Sequence, residues 1–395
     1  MKLKSIVIKN NRGNSPDYDD NDLNRDFPII NQSCVQKGFI NFDKLKYNKK
    51  SNEGAKGRLL KGDVLICSTG GGTAGRVGYW DYDYVNYIAD SHVTVLRVNN
   101  KNNSRYLYYY LSSIKGTAYI RSCIKGATNQ EELSNKALNN FELDMPNLDI
   151  QIKLANFLDQ NCYKIDNEVS LLQKKSILLD EYKNALIYET VTKGLDKNAK
   201  MKGSGVEWMG DVPSHWNIRR IKSFVKSLKT GKEDASHSDE DGVYDFYTCS
   251  VKNFKCNDFK FEGSAILLAG NGDISNIKHL KAKNSKFNAY QRVYILQKIK
   301  NNERYLYYSF KAGFVNSVRH KQKGSVIEFI KLQDITNFEI LDFDINEQTK
   351  ISNFLDIETA KIEKQIELIN KKVELLKEYK QSLIYEAVTG QLEIE

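Results

Sequence analysis

The stretch Gly70-Gly71-Gly72-Thr73-Ala74-Gly75 carries the spacing G-x-G-x-x-G directly behind an apolar run, Val64–Cys67. That spacing serves dinucleotide phosphates only where a helix opens behind it, because the helix N-terminus holds the charge. Arg76-Val77-Gly78-Tyr79-Trp80 does not read as a helix start, so a dinucleotide site is not expected. The loop suits another task. Glycines lacking Cβ let a main chain come close to a partner, and Arg76 supplies positive charge, a combination fit for a phosphate backbone. The plain alternative is a connection between two strands. The comparable stretch further along is Ala269-Gly270-Asn271-Gly272-Asp273.

Other chemistries find little support. Pro16-Asp17 could open a nuclease site, yet no Asp/Glu-x-Lys triplet follows within a usable distance; the first is Glu181-Tyr182-Lys183. An adenine methyltransferase needs an Asn-Pro-Pro-Tyr type of turn, and no two of the 4 prolines adjoin. A phosphate-binding G-x-x-x-x-G-K-[S/T] is absent. His92, His215, His237, His279 and His320 show no ligand spacing, and the 6 cysteines contain no C-x-x-C pair, so no metal site and no catalytic residue is assigned. Reduced thiols and the lack of a long apolar run point to a cytoplasmic protein.

Basic residues gather in two regions. The first holds Lys37, Lys44, Lys46, Lys49, Lys50, Lys56, Arg58, Lys61 and Arg76; the second holds Lys252, Lys255, Lys260, Lys278, Lys281, Lys283 and Lys286, then Arg319, Lys321 and Lys323. Asn, Ser, Thr and Gln lie among them, able to address base edges while Lys and Arg hold phosphates. A lysine-rich solvated face is the plain reading. The formal charge of +9 permits nucleic-acid binding without requiring it. The residues singled out for DNA contact are Gly71, Gly72, Thr73, Arg76, Lys125, Asn271, Lys278, Lys281, Arg319, Lys321 and Lys323.

Something must position these regions, and the chain supplies it twice. Residues 151–192 and 348–389 align without a gap, Phe157 on Phe354 and Glu181 on Glu378, with roughly half of the positions identical. Each copy has a heptad ladder: Leu158, Ile165, Leu172, Leu179 and Leu186 in one, Leu355, Ile362, Ile369, Leu376 and Leu383 in the other. An apolar period of seven predicts long helices with a coiled-coil seam. Asp149 and Asn346 are the expected N-caps, and Gly194 and Gly390 the expected stops. The helices are expected to pack antiparallel and to give the chain a pseudo-two-fold axis.

Fainter echoes precede each helix. Leu3–Val7 resembles Ile221–Val225, RYLYYYL from Arg105 resembles RYLYYSF from Arg304, and Asn140-Phe141-Glu142 resembles Asn337-Phe338-Glu339. Short β-type runs (Asp63–Cys67, Val93–Val98, Ala265–Leu268, Arg292–Leu296) and one helix per unit predict a mixed α+β domain, present twice. The expected organisation is a domain over 1–148, a helix over 149–196, a tryptophan-bearing connector plus second domain over 197–345, and a second helix over 346–395.

The duplicated E-Y-K-x-x-L-I-Y-E-x-V-T (Glu181–Thr192, Glu378–Thr389), the connector GVEWMGDVPSHWNIRRIK (Gly205–Lys222), LLAGNGD (Leu267–Asp273) and FNAYQRVYIL (Phe287–Leu296) resemble the specificity subunits of type I restriction–modification systems. The resemblance covers nearly the whole chain. One departure stands out: the family usually opens with its own E-W-x-G-x-x-P-x-H-W connector, whereas Met1 is in register with roughly Arg219. The resemblance implies a non-catalytic subunit with two target-recognition domains, each reading half of a bipartite DNA site. It implies that the helices act as spacer and as docking surface for two methyltransferase subunits, with two motor–nuclease subunits joining them. S-adenosylmethionine, ATP and magnesium would belong to those partners. Two readers on such a frame would contact half-sites about one helical turn apart. A coiled-coil adaptor without DNA specificity is the alternative.

Overall fold

The computed structural model describes residues 1–19, 26–126, 131–319 and 328–392. The chain is α+β and divides into two units: residues 1–173 with 371–395, and residues 174–370. Each unit therefore contains one mixed domain and a piece of each long helix.

In the first unit, β1 (Val7–Arg12), β2 (Asp63–Cys67), β3 (Val77–Trp80) and β4 (Val93–Val98) form an antiparallel sheet in the order β1-β4-β2-β3. Strand β2 is buried along its whole length, as expected of a central strand with both faces covered. On one side lie α1 (Ser104–Ser112) and α2 (Ile114–Ser122), capped by Asn103 and Ser113 through bonds to the amides of Tyr106 and Gly116. On the other lies a small sheet of Pro28–Ile30, Lys46–Tyr47 and Ile88–Ala89, sealed by Ile30, Val35, Leu65, Trp80 and Val95.

The second unit repeats the plan. Its strands β5 (Val225–Thr230), β6 (Ala265–Ala269), β7 (Ile277–Leu280) and β8 (Val293–Ile299) take the same order, β5-β8-β6-β7. A helix, α3 (Glu303–Ser309), capped by Asn302, continues through a π turn at Phe310–Phe314. A second sheet pairs Tyr244–Tyr247 with Phe254–Cys256 and Lys286–Ala289.

The long helices run Leu148–Lys193 and Ile345–Val388. Their caps lie two residues before the expected ones. Asn147 accepts from the Ile150 amide at 3.0 Å, and Asp344 from those of Asn346 and Glu347 at 2.9 and 3.2 Å. Asp149 and Asn346 instead stand within the first turn. Gly194 and Gly390 follow the helix ends with φ of 76° and 74°, a left-handed conformation that glycine adopts without strain.

Within the first unit the helices pair antiparallel. Asp166 bonds Lys380 at 2.6 Å and Glu168 bonds Lys372 at 2.7 Å, so the register falls on one helix as it rises on the other. Leu158, Ile165 and Leu383 are buried in the same core as the domain's Tyr106 and Leu107, with Leu376 packed against it and Leu172 half-buried. In the second unit Ile187 and Val191 share a core with Ile351 and Leu355, and Lys183 reaches Glu363 at 3.6 Å. There Ile362 and Ile369 are buried, and Leu179 and Leu186 half-buried.

The units seal one matching ring differently. In the second, Trp208 of the connector stacks on Phe338 with centroids 5.4 Å apart, over Gly313, where an added Cβ would lie 2.1 Å from the indole. In the first, the counterpart Phe141 is stacked at 3.9 Å by Tyr119 of its own α2. The connector's other indole, Trp216, stacks on Phe343 at 3.9 Å and donates to Glu347 at 3.3 Å.

Candidate nucleic-acid interface

The glycine loop of the first unit joins β2 to β3. The ladder between them closes at Ile66 and Val77, and a strand follows the loop where a dinucleotide site would need a helix. The loop is tightly wound: the Thr73 and Ala74 amides donate to the Gly70 carbonyl at 3.1 and 3.0 Å, and the Arg76 amide to that of Thr73 at 3.1 Å. Gly70, Gly72 and Gly75 have φ of 100°, 76° and 84°. At Gly72 a Cβ would meet nothing within 4 Å, so this glycine answers to backbone conformation and leaves an open surface. Gly71 and Gly72 are exposed, while Thr73 is half-buried with its hydroxyl donating to the Thr69 carbonyl. Arg76 donates to Gln36 and to the Gly72 carbonyl, both at 3.3 Å.

Lys125 belongs to the same corner. It pairs with Glu132 in a short ladder, Thr69 forms a bridge to Glu132, and Gly75 packs against Ile124. Gly71, Gly72, Arg76 and Lys125 thus share one end of the first domain.

The second unit builds the matching corner with other residues. Asn271 bridges to Phe329, the Gly272 amide donates to the Glu328 carbonyl at 3.0 Å, and Glu328 binds Arg319. Asn271 and Arg319 are therefore brought together. Lys278 and Lys281 stand on and just beyond β7 and are engaged internally. The Lys278 ammonium donates to the carbonyls of Ser250 and Val251 at 3.3 and 3.2 Å and lies over the Tyr247 ring at 5.3 Å; burial pushes its pKa below the usual lysine value. Lys281 pairs with Asp356 of the second long helix at 3.3 Å. Lys321 and Lys323, and His320 beside them, lie outside the described residues.

Side chains of α1 and α3 fasten each domain to the long helices, a role not expected from the sequence. In the first unit Asp159 accepts from Arg105 and from the Tyr109 hydroxyl, both at 2.6 Å. In the second, Asp356 accepts from Arg304 and from the Tyr308 hydroxyl, both at 2.8 Å. Gln151 and Gln348 accept from the amides of Asn103 and Asn302. The signal was present: the R-Y-L-Y-Y echo and the matched Asp159 and Asp356 belong to one repeat.

The outer surfaces also carry a repeat. Leu171, Leu178 and Tyr182 on the first long helix, and Leu368, Leu375 and Tyr379 at the same positions of the second, are all more than half exposed. Among the described residues no helix is long and apolar enough to cross a membrane.

The profile of the type I restriction modification DNA specificity domain matches residues 1–176 and again 213–375. The type I restriction enzyme EcoDI specificity subunit of Escherichia coli is 34% identical over 183 residues, 46% of this chain and 40% of that protein, so the chain matches less than half of that relative's length. The MjaIX specificity subunit of Methanocaldococcus jannaschii is 24% identical over 312 residues, 74% of this chain and 70% of its own. Among solved structures, a chain from work described as the structural basis of complex assembly and conformational transition of the type I R-M system superposes with a TM-score of 0.73, at 12% identity, covering 99% of this chain and 97% of that one. The HsdS subunit from Thermoanaerobacter tengcongensis superposes at 0.51, with 13% identity and coverage of 99% and 96%. These two likenesses show the fold.

Proposed function

The chain belongs to the type I restriction–modification DNA specificity family, as a specificity subunit with two recognition domains, and from that premise we propose how the work is divided within it. Each domain reads one half of a bipartite site on double-stranded DNA. The corner with Gly71, Gly72, Thr73, Arg76 and Lys125 and the corner with Asn271 and Arg319 face the duplex; Lys321 and Lys323 are assigned there as well. Lys and Arg hold phosphates, and the polar side chains between them address base edges. The observation that carries this reading is a repeated frame bearing unlike loops at one equivalent place: strand order, helix fastening and caps recur, while Cys67–Arg76 and Ala269–Asn276 differ in length and residues.

The long helices set the separation of the two reading heads and dock two methyltransferase subunits through the exposed Leu-Leu-Tyr positions. Two motor–nuclease subunits complete the assembly. The chain itself performs no catalysis and carries none of the reaction's cofactors; S-adenosylmethionine, ATP and magnesium act on the partners. The test is replacement of residues 201–345 by the corresponding segment of another specificity subunit, followed by mapping of methylated adenines in cells. One half-site changes and the other stays. Change in both halves, or in neither, overturns the reading.

A further inference from the structure

The fold brings three residues of the second unit together that the sequence keeps apart. His237 ends a short 3-10 turn, Ala235–His237, while Cys256 and Asp258 stand at and just past the end of the strand Phe254–Cys256. One ligand atom from each lies within 4.8 Å of the others. We propose that His237, Cys256 and Asp258 form a binding site for a divalent transition-metal cation of borderline softness, zinc in the first instance.

The donor set is the first reason. An imidazole nitrogen, a thiolate and a carboxylate are the mixed N, S and O ligands that zinc takes in four-coordinate sites, leaving one position to water. Zinc ligands in such a site sit about 3–4 Å apart, within the spread found here. His237 Nε2 and Asp258 Oδ1, now 2.5 Å apart, separate to admit the ion.

The surroundings are the second. A metal-bound histidine usually donates its other ring N–H to a carboxylate, which fixes the tautomer. His237 Nδ1 faces Glu233 Oε2 at 3.5 Å, and Lys260 binds the same carboxylate. Asn288, fully buried, donates to Asp258 at 3.2 Å. Phe246 meets the imidazole edge-on at 5.7 Å, and Gly242 lies against the Cys256 backbone, where a Cβ would come within 2.4 Å of the amide nitrogen. The segment from Glu233 to Gly242 is thus folded over Cys256, while Asp258 remains open to solvent.

Titration of the full chain with Co2+ tests the site. The expected result is one equivalent bound with a near-ultraviolet thiolate-to-cobalt charge-transfer band, displaced by Zn2+. Cys256→Ser removes the band, and Asp258→Asn weakens binding at least tenfold. Because Cys256 is buried, its replacement is accompanied by circular dichroism; Asp258, half exposed, provides a variant expected to fold. No charge-transfer band in the wild-type chain, or a band that Asp258→Asn leaves unchanged, overturns the proposal and leaves a hydrogen bond between His237 and Asp258.

Discussion

The Tyr305 hydroxyl donates to the Val191 carbonyl at 3.2 Å, joining the first helix of the second domain to the last turn of the first long helix. Val191 is fully buried, so water does not reach this carbonyl, which lies among the final helix acceptors lacking an intrahelical donor. The repeat makes the same bond in the first unit, Tyr106 to Val388 at 3.4 Å. Tyr305→Phe keeps the ring and orphans the acceptor. It is expected to lower stability by about 1–2 kcal/mol, read by chemical denaturation. A wild-type midpoint would show that the bond contributes nothing.

Asp356 gives the second unit an acid-sensitive fastening. Burial alone would raise its pKa, but hydrogen bonds from Tyr308 and Arg304 and the charge of Lys281 outweigh that and hold it below the usual carboxylate range. A depressed folded pKa means that the stabilisation is present above the unfolded value and lost as pH falls through the folded one. Melting temperature should therefore drop below about pH 4. Asp356→Asn should cost about 1–3 kcal/mol at neutral pH and flatten that acid limb. An acid limb unchanged in the variant would assign the effect to other carboxylates.

Two kinds of lysine and arginine are expected to separate in a salt titration of DNA binding. Replacing Arg76 and Lys125 with alanine should reduce the slope of log K against log salt by about two. Lys278→Gln should leave the slope alone and lower the melting point, because its ammonium is held by the Ser250 and Val251 carbonyls. Equal slope changes for the two would remove this distinction.

Partner docking can be probed without touching the cores. Leu178→Asp with Tyr182→Asp alters positions 53% and 58% exposed and should change stability by less than about 0.5 kcal/mol. Co-purification with the methyltransferase should be lost. Retention of the partner by a folded double variant would move its docking surface elsewhere.

The strands Asp63–Cys67 and Val93–Val98 were legible because their apolar runs are long and bounded by turn residues, and the helices because a seven-residue ladder is a strong local signal. The caps were misplaced because Asn147 and Asp149, like Asp344 and Asn346, offer two capping residues two apart, and only the backbone decides between them. The internal partners of Lys278 and Lys281, namely Ser250, Val251 and Asp356, were not legible because they are distant in sequence. Asp159 lies about fifty residues from Arg105 and Tyr109. His237 and Cys256 meet only because a hairpin folds between them. Local pattern reports which residues are apolar and periodic; it does not report which side chains a fold will bring face to face.

The two ways of covering one aromatic ring have a practical corollary for building hybrids. Phe338 takes its lid from Trp208, upstream of the second domain, whereas Phe141 takes its lid from within the first. A graft joined at Ile221 would set an imported domain beneath a foreign indole, and its fit would depend on whether the donor kept a glycine like Gly313. A junction at Met201 carries lid and ring across together. The first domain brings its own lid, so the choice of crossover point is forgiving on one side of this molecule and exacting on the other.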